Sequence, residues 1–575
     1  MSPERPEQRQ SGGYVGMMDG SRQDASGRGS GAVAAGIALS RLSGLVREIL
    51  LRSVLALGPA ADAFAAALRI PNLLQNLLGE GSLSASFIPV YSRLLGEGRR
   101  EEAGRVAAAV ASLLAVLAGT LILIAIVAAE PLARLLAPGF EDTRLDLTAD
   151  LLRITTCGLG LLVLSAWCLG VLNSHSRFFL PYVAPVLWNV AQASVLVAAL
   201  VGEWSPRDAA TGLAWGLVAG GALQFGAQAV AVWQLAPELR PFLGRTLGRG
   251  NRLVADVRRR FGPAVLGRGV LQLSSYLDLV LASILATGAV AGLLTAQVLY
   301  SLPVALFATS VAAASLPEMS RARKASSVAD ALTAARRRAL FFTSFATVAY
   351  LVLGEPIVNA LFKWGAFDGD DGRAVALVLA AYALGLPAVA SSRVTQNTLF
   401  ALGDTAGPAR IAAVRVLLAA GAGIAVMFPL DRLTIHAGEI LSVAGGDWFG
   451  PLAEGIRFGS PDPHLGAVGL ALGSALAAWI ELALLTRRVR KQLPQVIGPF
   501  SEIGAMGLPA AAAVIVALLL RWITHDLPDV VTAVFAVTGS GAAYLGVAFG
   551  RGLPTALELT SLRRRRSDTD TTSES

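Results

Sequence analysis

Charged residues are scarce in this 575-residue chain. Only 15% of the residues are charged, whereas 54% are hydrophobic. A soluble globular domain carries about 25% charged residues, so this balance excludes an ordinary soluble domain. Because each membrane-spanning helix needs roughly 20 apolar residues, a chain of this length and hydropathy is typical of a protein that crosses the membrane many times. We therefore predict an all-α polytopic membrane protein.

Cysteine and histidine are also scarce. The two cysteines, Cys157 and Cys168, fall in one predicted helix, where eleven residues of helical rise separate them by about 16 Å, too far for a disulfide. The four histidines are scattered, and no spacing typical of metal ligands, P-loop or nucleophile elbow is visible. These absences argue against an enzyme, a metal or cofactor, and direct use of ATP.

Fourteen apolar segments are predicted to span the membrane. They lie near residues 31–57, 61–93, 104–129, 147–172, 179–202, 209–234, 262–287, 290–318, 339–361, 374–402, 408–429, 465–486, 502–523 and 530–550. Arginine and lysine concentrate in the loops after the even-numbered spans, which by the positive-inside rule places both termini on the cytoplasmic side of the membrane. The same loops account for the net charge of +8 without a nucleic-acid partner.

The largest basic loop separates six predicted spans from eight. We predict a disordered cytoplasmic tail (1–30), a six-helix bundle (31–234), a basic cytoplasmic linker (235–261), a second bundle (262–486), two C-terminal helices (487–550) and a basic, polar cytoplasmic tail (551–575). The longest external loop, residues 430–464, is interpreted as a tolerated insertion or a partner site. Paired bundles are typical of transporters.

Charged side chains interrupt the first two predicted spans. Residues 38–92 carry Arg41, Arg47, Glu48, Arg52, Asp62, Arg69 and Glu80. A charge at the bilayer centre costs about 2.5–3.5 kcal/mol on insertion scales, so this set indicates a polar cavity rather than lipid contact. Arg41 and Arg52 share a helix face with Glu48, and a guanidinium suits phosphate oxygens. Arg52 and Arg69 are equally consistent with snorkelling to an interface.

A second set of charges lies in later spans. Span seven carries Arg268 and Asp278, ten residues apart on roughly one stripe, and span ten carries Arg393. Because charges inside the membrane are usually paired, a structural bridge from Asp278 to either arginine is as well supported as a binding role.

Four segments resemble the MurJ (MviN) family of bacterial lipid II flippases. They are SRLSGLVRE (40–48), DAFAAALRIPNLLQNLLGEGSLSASFIPVYSR (62–93), LYSLPVALFATSVAAASLPEMSRA (299–322) and ALGLPAVASSRVTQNTLFALGDTAGPARIA (383–412). The family-like motif residues are Pro71, Asn72, Gly81, Pro303 and Pro317.

The resemblance implies two helical bundles around a central cationic cavity, the architecture of the MOP superfamily, which includes MATE transporters. It implies that lipid II, the undecaprenyl-pyrophosphate-linked peptidoglycan precursor, passes from the inner to the outer leaflet by alternating access, with no covalent chemistry. The implied partners are lipid II or a related polyprenyl-pyrophosphate glycan, membrane lipids and other peptidoglycan-synthesis proteins.

The same resemblance assigns roles to the intramembrane charges. Candidate substrate-binding residues are Arg41, Arg47, Arg268 and Arg393, of which Arg268 matches no family signature. Candidate gating or charge partners are Glu48, Asp62, Glu80 and Asp278. Gly79, Gly81 and Pro71 are expected to break span two around Glu80.

Departures from the family pattern leave the cargo open. Family members often carry arginine where this chain has Gln75 and Val298, and some carry asparagine where it has Ala419 and Gly423. One interpretation is that Arg268, with Arg69 or Arg393, supplies replacement charge for the same substrate. The alternative is a divergent paralogue that moves another polyprenyl-linked glycan, or a non-transporting cell-wall scaffold. A drug exporter of the same superfamily is disfavoured, because a cation site needs acidic and aromatic residues and the first two spans carry four arginines.

Overall fold

The computed structural model describes residues 35–244, 252–322, 324–443, 448–496 and 498–559. Within these ranges the regular structure is helical apart from one two-stranded β-hairpin. Cys157 and Cys168 both lie on one helix as free thiols, as predicted.

Many of the helices in the first half of the chain are short. They are α1 (35–55), α2 (Pro59–Ala67), α3 (Arg69–Leu78), α4 (Glu80–Ser86), α5 (Ile88–Gly96), α6 (Arg100–Val127), α7 (Ala129–Leu136), α8 (Asp142–Ser174), α9 (Phe179–Val183), α10 (Pro185–Val201) and α11 (Pro206–Leu235), followed by a 3₁₀ turn at Pro237–Leu239.

The second half contains longer helices and the hairpin. Its elements are α12 (Arg252–Ser283), α13 (Ala289–Pro303), a π-helical segment (Val304–Thr309), α14 (Ser310–Arg321), α15 (Ala325–Phe362), α16 (Gly369–Ala383), α17 (Leu386–Ala401), α18 (Ala406–Asp431), β1 (Leu433–His436), β2 (Glu439–Ser442), α19 (Glu454–Gly459), α20 (Gly466–Gln492), α21 (Pro499–Ala505), α22 (Gly507–Ile523), α23 (Asp529–Gly550) and α24 (554–559).

Nine helical segments of the described chain are long and apolar enough to cross a membrane. Two further segments qualify only as bent pairs, α16 with α17 at 42° and α21 with α22 at 45°. The predicted count of fourteen is therefore not confirmed. The three remaining predicted spans, near 31–57, 61–93 and 262–287, carry all of the intramembrane charges discussed above except Arg393.

Span two is divided into four short helices, α2 to α5, with breaks at Leu68, Gly79 and Phe87. A Cβ atom at Gly79 would collide with the Gln75 carbonyl oxygen, so this break requires glycine. Pro71 lies in the first turn of α3, where a missing N–H is tolerated. The predicted interruption of span two is thus present, but Pro71 does not mark it.

The two later motif prolines lie on the α13–α14 segment. Pro303 ends α13, and the π-helical residues Val304–Thr309 follow at once. Proline cannot donate an intrahelical hydrogen bond. The backbone hydrogen bonds can therefore change there from the α-helical to the π-helical pattern. Pro317 lies inside α14.

Contacts divide the chain into two compact units. The first unit comprises Met1–Leu51, Ala67–Leu132 and Ala149–Leu273; the second comprises Arg52–Ala66, Ala133–Thr148 and Ser274–Ser575. Two segments from early in the chain therefore pack with the second unit. The domain boundaries predicted from the sequence remain predictions.

Small residues allow close helix packing in both units. In the first, α6 buries Ala103, Ala107 and Ala108, and the Trp167 indole donates to the Ala107 carbonyl at 3.1 Å. In the second, a Cβ on Gly473 of α20 would lie 2.7 Å from the Gly423 Cα of α18. Gly423, where some family members have asparagine, is therefore part of a backbone-to-backbone contact in this chain.

The external loop 430–464 is folded in its described part rather than irregular. Ala437 and Gly438 both adopt positive φ, +52° and +79°, and form the tight turn of the β1–β2 hairpin. The Asp370 carboxylate accepts hydrogen bonds from both backbone amides at 2.8 Å. The loop is therefore an integral element of the second unit.

Candidate functional site

A polar cavity of about 600 Å³ lies within the first unit. Side chains from α1, α3, α4, α8 and α11 supply its polar lining, which consists of Ser40, Arg41, Gln75, Asn76, Ser84, Ser165, Gln224 and Gln228. Apolar side chains, among them Leu162 and Leu169, complete the wall. Among the described residues that line this cavity, Arg41 is the one that carries a charge.

Two glutamines on α11 form one wall. Gln224 and Gln228 are four residues apart and therefore lie on the same helix face. The Gln224 amide donates to the Ser165 hydroxyl of α8 at 3.0 Å. Gln228 is 1% exposed, and within the described chain its Oε1 atom has no hydrogen-bond partner. Sequence reasoning missed this pair, although two amides at helical spacing in an apolar span are a usable signal.

Gln75 lines the same cavity as Arg41. The position where family members often carry arginine is therefore a cavity position in this chain. Its replacement by a neutral amide lowers the positive charge of the cavity and keeps hydrogen-bonding capacity.

Arg47 and Glu48 occupy a different environment on α1. The Arg47 guanidinium approaches the Glu48 carboxylate at 3.4 Å and the Gln192 Oε1 at 3.5 Å. It also lies over the Trp188 ring, 5.2 Å from the ring centroid. Arg47 is absent from the lining of the first-unit cavity, so its predicted substrate contact stays a prediction.

Asp62 is buried in the second unit, 1% exposed. Its carboxylate accepts hydrogen bonds from the Gly288 and Ala291 backbone amides, both at 2.8 Å, at the start of α13. The Arg144 guanidinium lies 3.6 Å away. A carboxylate at a helix N-terminus is favourably placed, and this arrangement ties α2 to α13. The gating role remains a prediction.

The second unit has three further polar contacts near the β1–β2 hairpin and the helix ends around it. Asp431 accepts from the Ala286 amide at 3.1 Å, and Arg457 pairs with Glu141 at 3.2 Å. His464 Nδ1 lies 2.6 Å from the Asp431 carbonyl oxygen, to which it donates. Burial lowers the pKa of His464 below its usual value of 6.5.

The other predicted residues are scattered. Arg393 is exposed on α17, and Asp278 is half-buried on α12. Pro71 is buried and Asn72 exposed on α3. The side chains of three predicted residues lie outside the described part of the structure: Arg268, Glu80 and Gly81.

An ion pair in the second unit was not predicted. Arg415 of α18 and Glu481 of α20 approach to 3.0 Å, and the Gln396 amide donates to the same carboxylate at 2.8 Å. Glu481 is buried, 2% exposed. Both charges fall inside predicted spans, which was the available signal. In the described ranges no three His, Cys, Asp or Glu side chains are grouped as metal ligands.

Comparisons with known proteins agree with this architecture. A family model described as "Lipid II flippase MurJ" matches residues 51–448. A protein of Rhizobium meliloti (strain 1021) named probable lipid II flippase MurJ is 30% identical over 543 residues, covering 89% of this chain and 91% of the relative. The solved structure of lipid II flippase MurJ in an inward closed conformation is similar with a TM-score of 0.66 and 20% identity, covering 90% of this chain and 99% of that one.

A second solved structure is similar at the level of fold. It is an inward-facing MATE family transporter of the MOP superfamily, with a TM-score of 0.61 and 16% identity, covering 80% of this chain and 95% of that one. The predicted all-α, multi-pass membrane fold of this superfamily is confirmed.

Proposed function

This chain belongs to the MurJ family of lipid II flippases, and we propose that it moves lipid II from the inner to the outer leaflet of the bacterial cytoplasmic membrane. Membership makes the chain a transporter and not an enzyme, as predicted. Alternating access carries the headgroup across, so that the precursor reaches the side on which peptidoglycan is polymerised. Other peptidoglycan-synthesis proteins are then its expected interaction partners.

The observation that carries this proposal is the first-unit cavity within an otherwise apolar chain. Its volume of about 600 Å³ falls in the range of small-molecule sites, roughly 300–1,000 Å³. A polar cavity among membrane helices marks a substrate pathway, because polar groups facing lipid would be costly. Arg41 supplies a cation at this cavity, which suits an anionic lipid headgroup.

We propose further that both termini face the cytoplasm. The basic loops after the even-numbered spans support this orientation. Two fusions test this orientation, one after residue 559 and one within residues 236–238. A reporter that is active only in the cytoplasm is expected to be active at both sites. A periplasmic signal from either fusion would reverse the orientation.

An accessibility assay tests the transport proposal. Cells depleted of their own flippase would express this chain, with its membrane level checked by immunoblot, and an outer-leaflet toxin that cleaves lipid II would report the exposed substrate. Restored cleavage is the expected result. Absence of cleavage at normal expression would contradict lipid II transport.

Gln75 and Val298 favour a second candidate function. Both replace arginines that many family members carry, so the pyrophosphate-binding charge of this chain is reduced. A paralogue that moves another polyprenyl-linked glycan fits that reduction. The same assay separates the two functions, because such a paralogue reaches the membrane and leaves lipid II uncleaved.

A further inference from the structure

We propose that the first-unit cavity binds the uncharged sugar portion of the headgroup, and that the pyrophosphate lies outside it, at the Arg41 rim. This subsite rests on the proposed function, since it presupposes a polyprenyl-pyrophosphate glycan as cargo. It assigns to Gln228, Gln224 and Ser165 the recognition of hydroxyl and acetamido groups.

The chemistry of the lining does not suit a pyrophosphate. Among the polar side chains of the described residues that line the cavity there is one cation, Arg41, and the others are amides and hydroxyls. A pyrophosphate carries several negative charges and is held by multiple cationic donors. Moving it into a cavity of neutral groups would cost desolvation that one guanidinium does not offset. A neutral ligand rich in hydroxyl and amide groups incurs no such penalty.

Gln228 provides the independent observation that points to a ligand. Its amide is 99% removed from solvent, borders the cavity, and has an Oε1 atom without a hydrogen-bond partner within the described residues. A buried polar group left without a hydrogen-bond partner destabilises the folded protein. A sugar hydroxyl can both donate and accept, so it satisfies this position for either orientation of the amide.

The neighbouring groups extend the same recognition surface. Gln224, one turn earlier on α11, is oriented by its hydrogen bond to Ser165. Tyr182 and Leu162 border the cavity with ring and aliphatic carbon, which can cover the apolar face of a pyranose ring. Arg41, in contrast, is exposed. A cation at the rim and amides in the interior match a headgroup that enters sugar first.

The test uses the full-length chain in lipid nanodiscs and three ligands. These are undecaprenyl pyrophosphate, the same lipid carrying the disaccharide without the pentapeptide, and complete lipid II. The variant is Gln228→Leu, which removes the amide at similar volume. Leu217→Met, a volume-conserving change at a buried position of α11 that is not among the residues lining the cavity, is the matched control.

Gln228→Leu is expected to weaken binding of both sugar-bearing lipids by about two- to tenfold, the value of one neutral hydrogen bond. Binding of undecaprenyl pyrophosphate should not change, and Leu217→Met should leave all three affinities unchanged. The ligand-free variant should melt at a higher temperature than the parent, because an unsatisfied buried amide has been removed. A purely structural glutamine would instead lower the melting temperature.

Other outcomes overturn the proposal. Equal weakening for all three lipids would place the pyrophosphate in the cavity, and weakening confined to complete lipid II would place the pentapeptide there. No change for any ligand would show that Gln228 makes no headgroup contact. If the parent chain binds none of the three lipids, the proposed function itself fails, and the subsite fails with it.

Discussion

The first unit has, in its described part, a buried amide with an unpartnered oxygen at a cavity wall, whereas the second unit contains buried ion pairs. Gln228 has an unpartnered Oε1 atom at the cavity wall among the described residues. In the second unit, Arg336 forms two hydrogen bonds to Glu502, each 2.6 Å long, and Glu481 holds both Arg415 and Gln396. Unpaired polar groups favour ligand binding, while paired charges favour one packed arrangement.

The cost of disruption differs between the two regions for a physical reason. Removing one member of a buried ion pair leaves a charge without compensation and typically costs 3–5 kcal/mol. Removing an unsatisfied amide leaves nothing uncompensated. Substitutions should therefore affect folding in the second unit and ligand binding in the first.

The largest effect is expected at Arg336, which is completely buried between α15 and α21. Arg336→Met should destabilise the protein by about 3–5 kcal/mol, because Glu502 then remains buried without its partner. Thermal unfolding in detergent measures the loss. The double variant Arg336→Met with Glu502→Leu should recover most of it. A single variant as stable as the parent would show that the pair contributes little.

A smaller effect, confined to function, is expected at Arg41. Arg41→Ala should lower lipid II transport by roughly ten- to a hundredfold, the range for losing a hydrogen bond to a charged group, without changing the melting temperature. Arg105→Ala, which removes a surface arginine paired with Glu101, serves as the control. Equal losses of lipid II transport in both variants would show that the effect of Arg41→Ala does not arise at the cavity.

Gln75→Arg should produce a moderate gain. The added guanidinium restores the charge that relatives often carry at this position and raises the positive potential at the Arg41 rim, so binding of undecaprenyl pyrophosphate at that rim should tighten several-fold, with a steeper dependence on salt. Titration at two ionic strengths measures both quantities, and Gln75→Met is the control for side-chain size. Unchanged affinity would indicate that the pyrophosphate does not approach this wall.

The smallest effect is expected from pH at His464. Because burial lowers its pKa below 6.5, the unfolded chain binds a proton more readily, so stability is fully present above pH 6.5 and decreases as the pH falls through the lowered value. Melting temperatures between pH 5 and pH 7.5 should fall less steeply on acidification in His464→Gln than in the parent. His525→Gln changes an exposed histidine and should leave the slope unaltered. Identical slopes in all three proteins would contradict this role.

The sequence predicts the helical membrane fold well, because long apolar runs between basic loops have few alternative structures. It also predicts the break in span two, since glycine clusters interrupt helices. It does not reveal the partners of Asp62: two of them are backbone amides at the start of α13, and backbone groups have no sequence signature.

Two features of the sites were missed for different reasons. Arg415 and Glu481 are 66 residues apart and meet only through the close packing of α18 and α20. Gln224 and Gln228 carry no formal charge, so a search for intramembrane charges passes over them. Counting amides at helical spacing in apolar segments would have identified the second pair.

The π-helical turn after Pro303 holds one residue more than an α-helix of the same rise. If this turn relaxed to α-helical geometry, the side chains of α14 would rotate by about 100° relative to those of α13. A single local hydrogen-bond rearrangement would thus change which side chains of α14 face its neighbours. It would also move Leu306, which is exposed in the π-helical segment itself. The π-helical segment therefore holds one extra residue of register between α13 and α14.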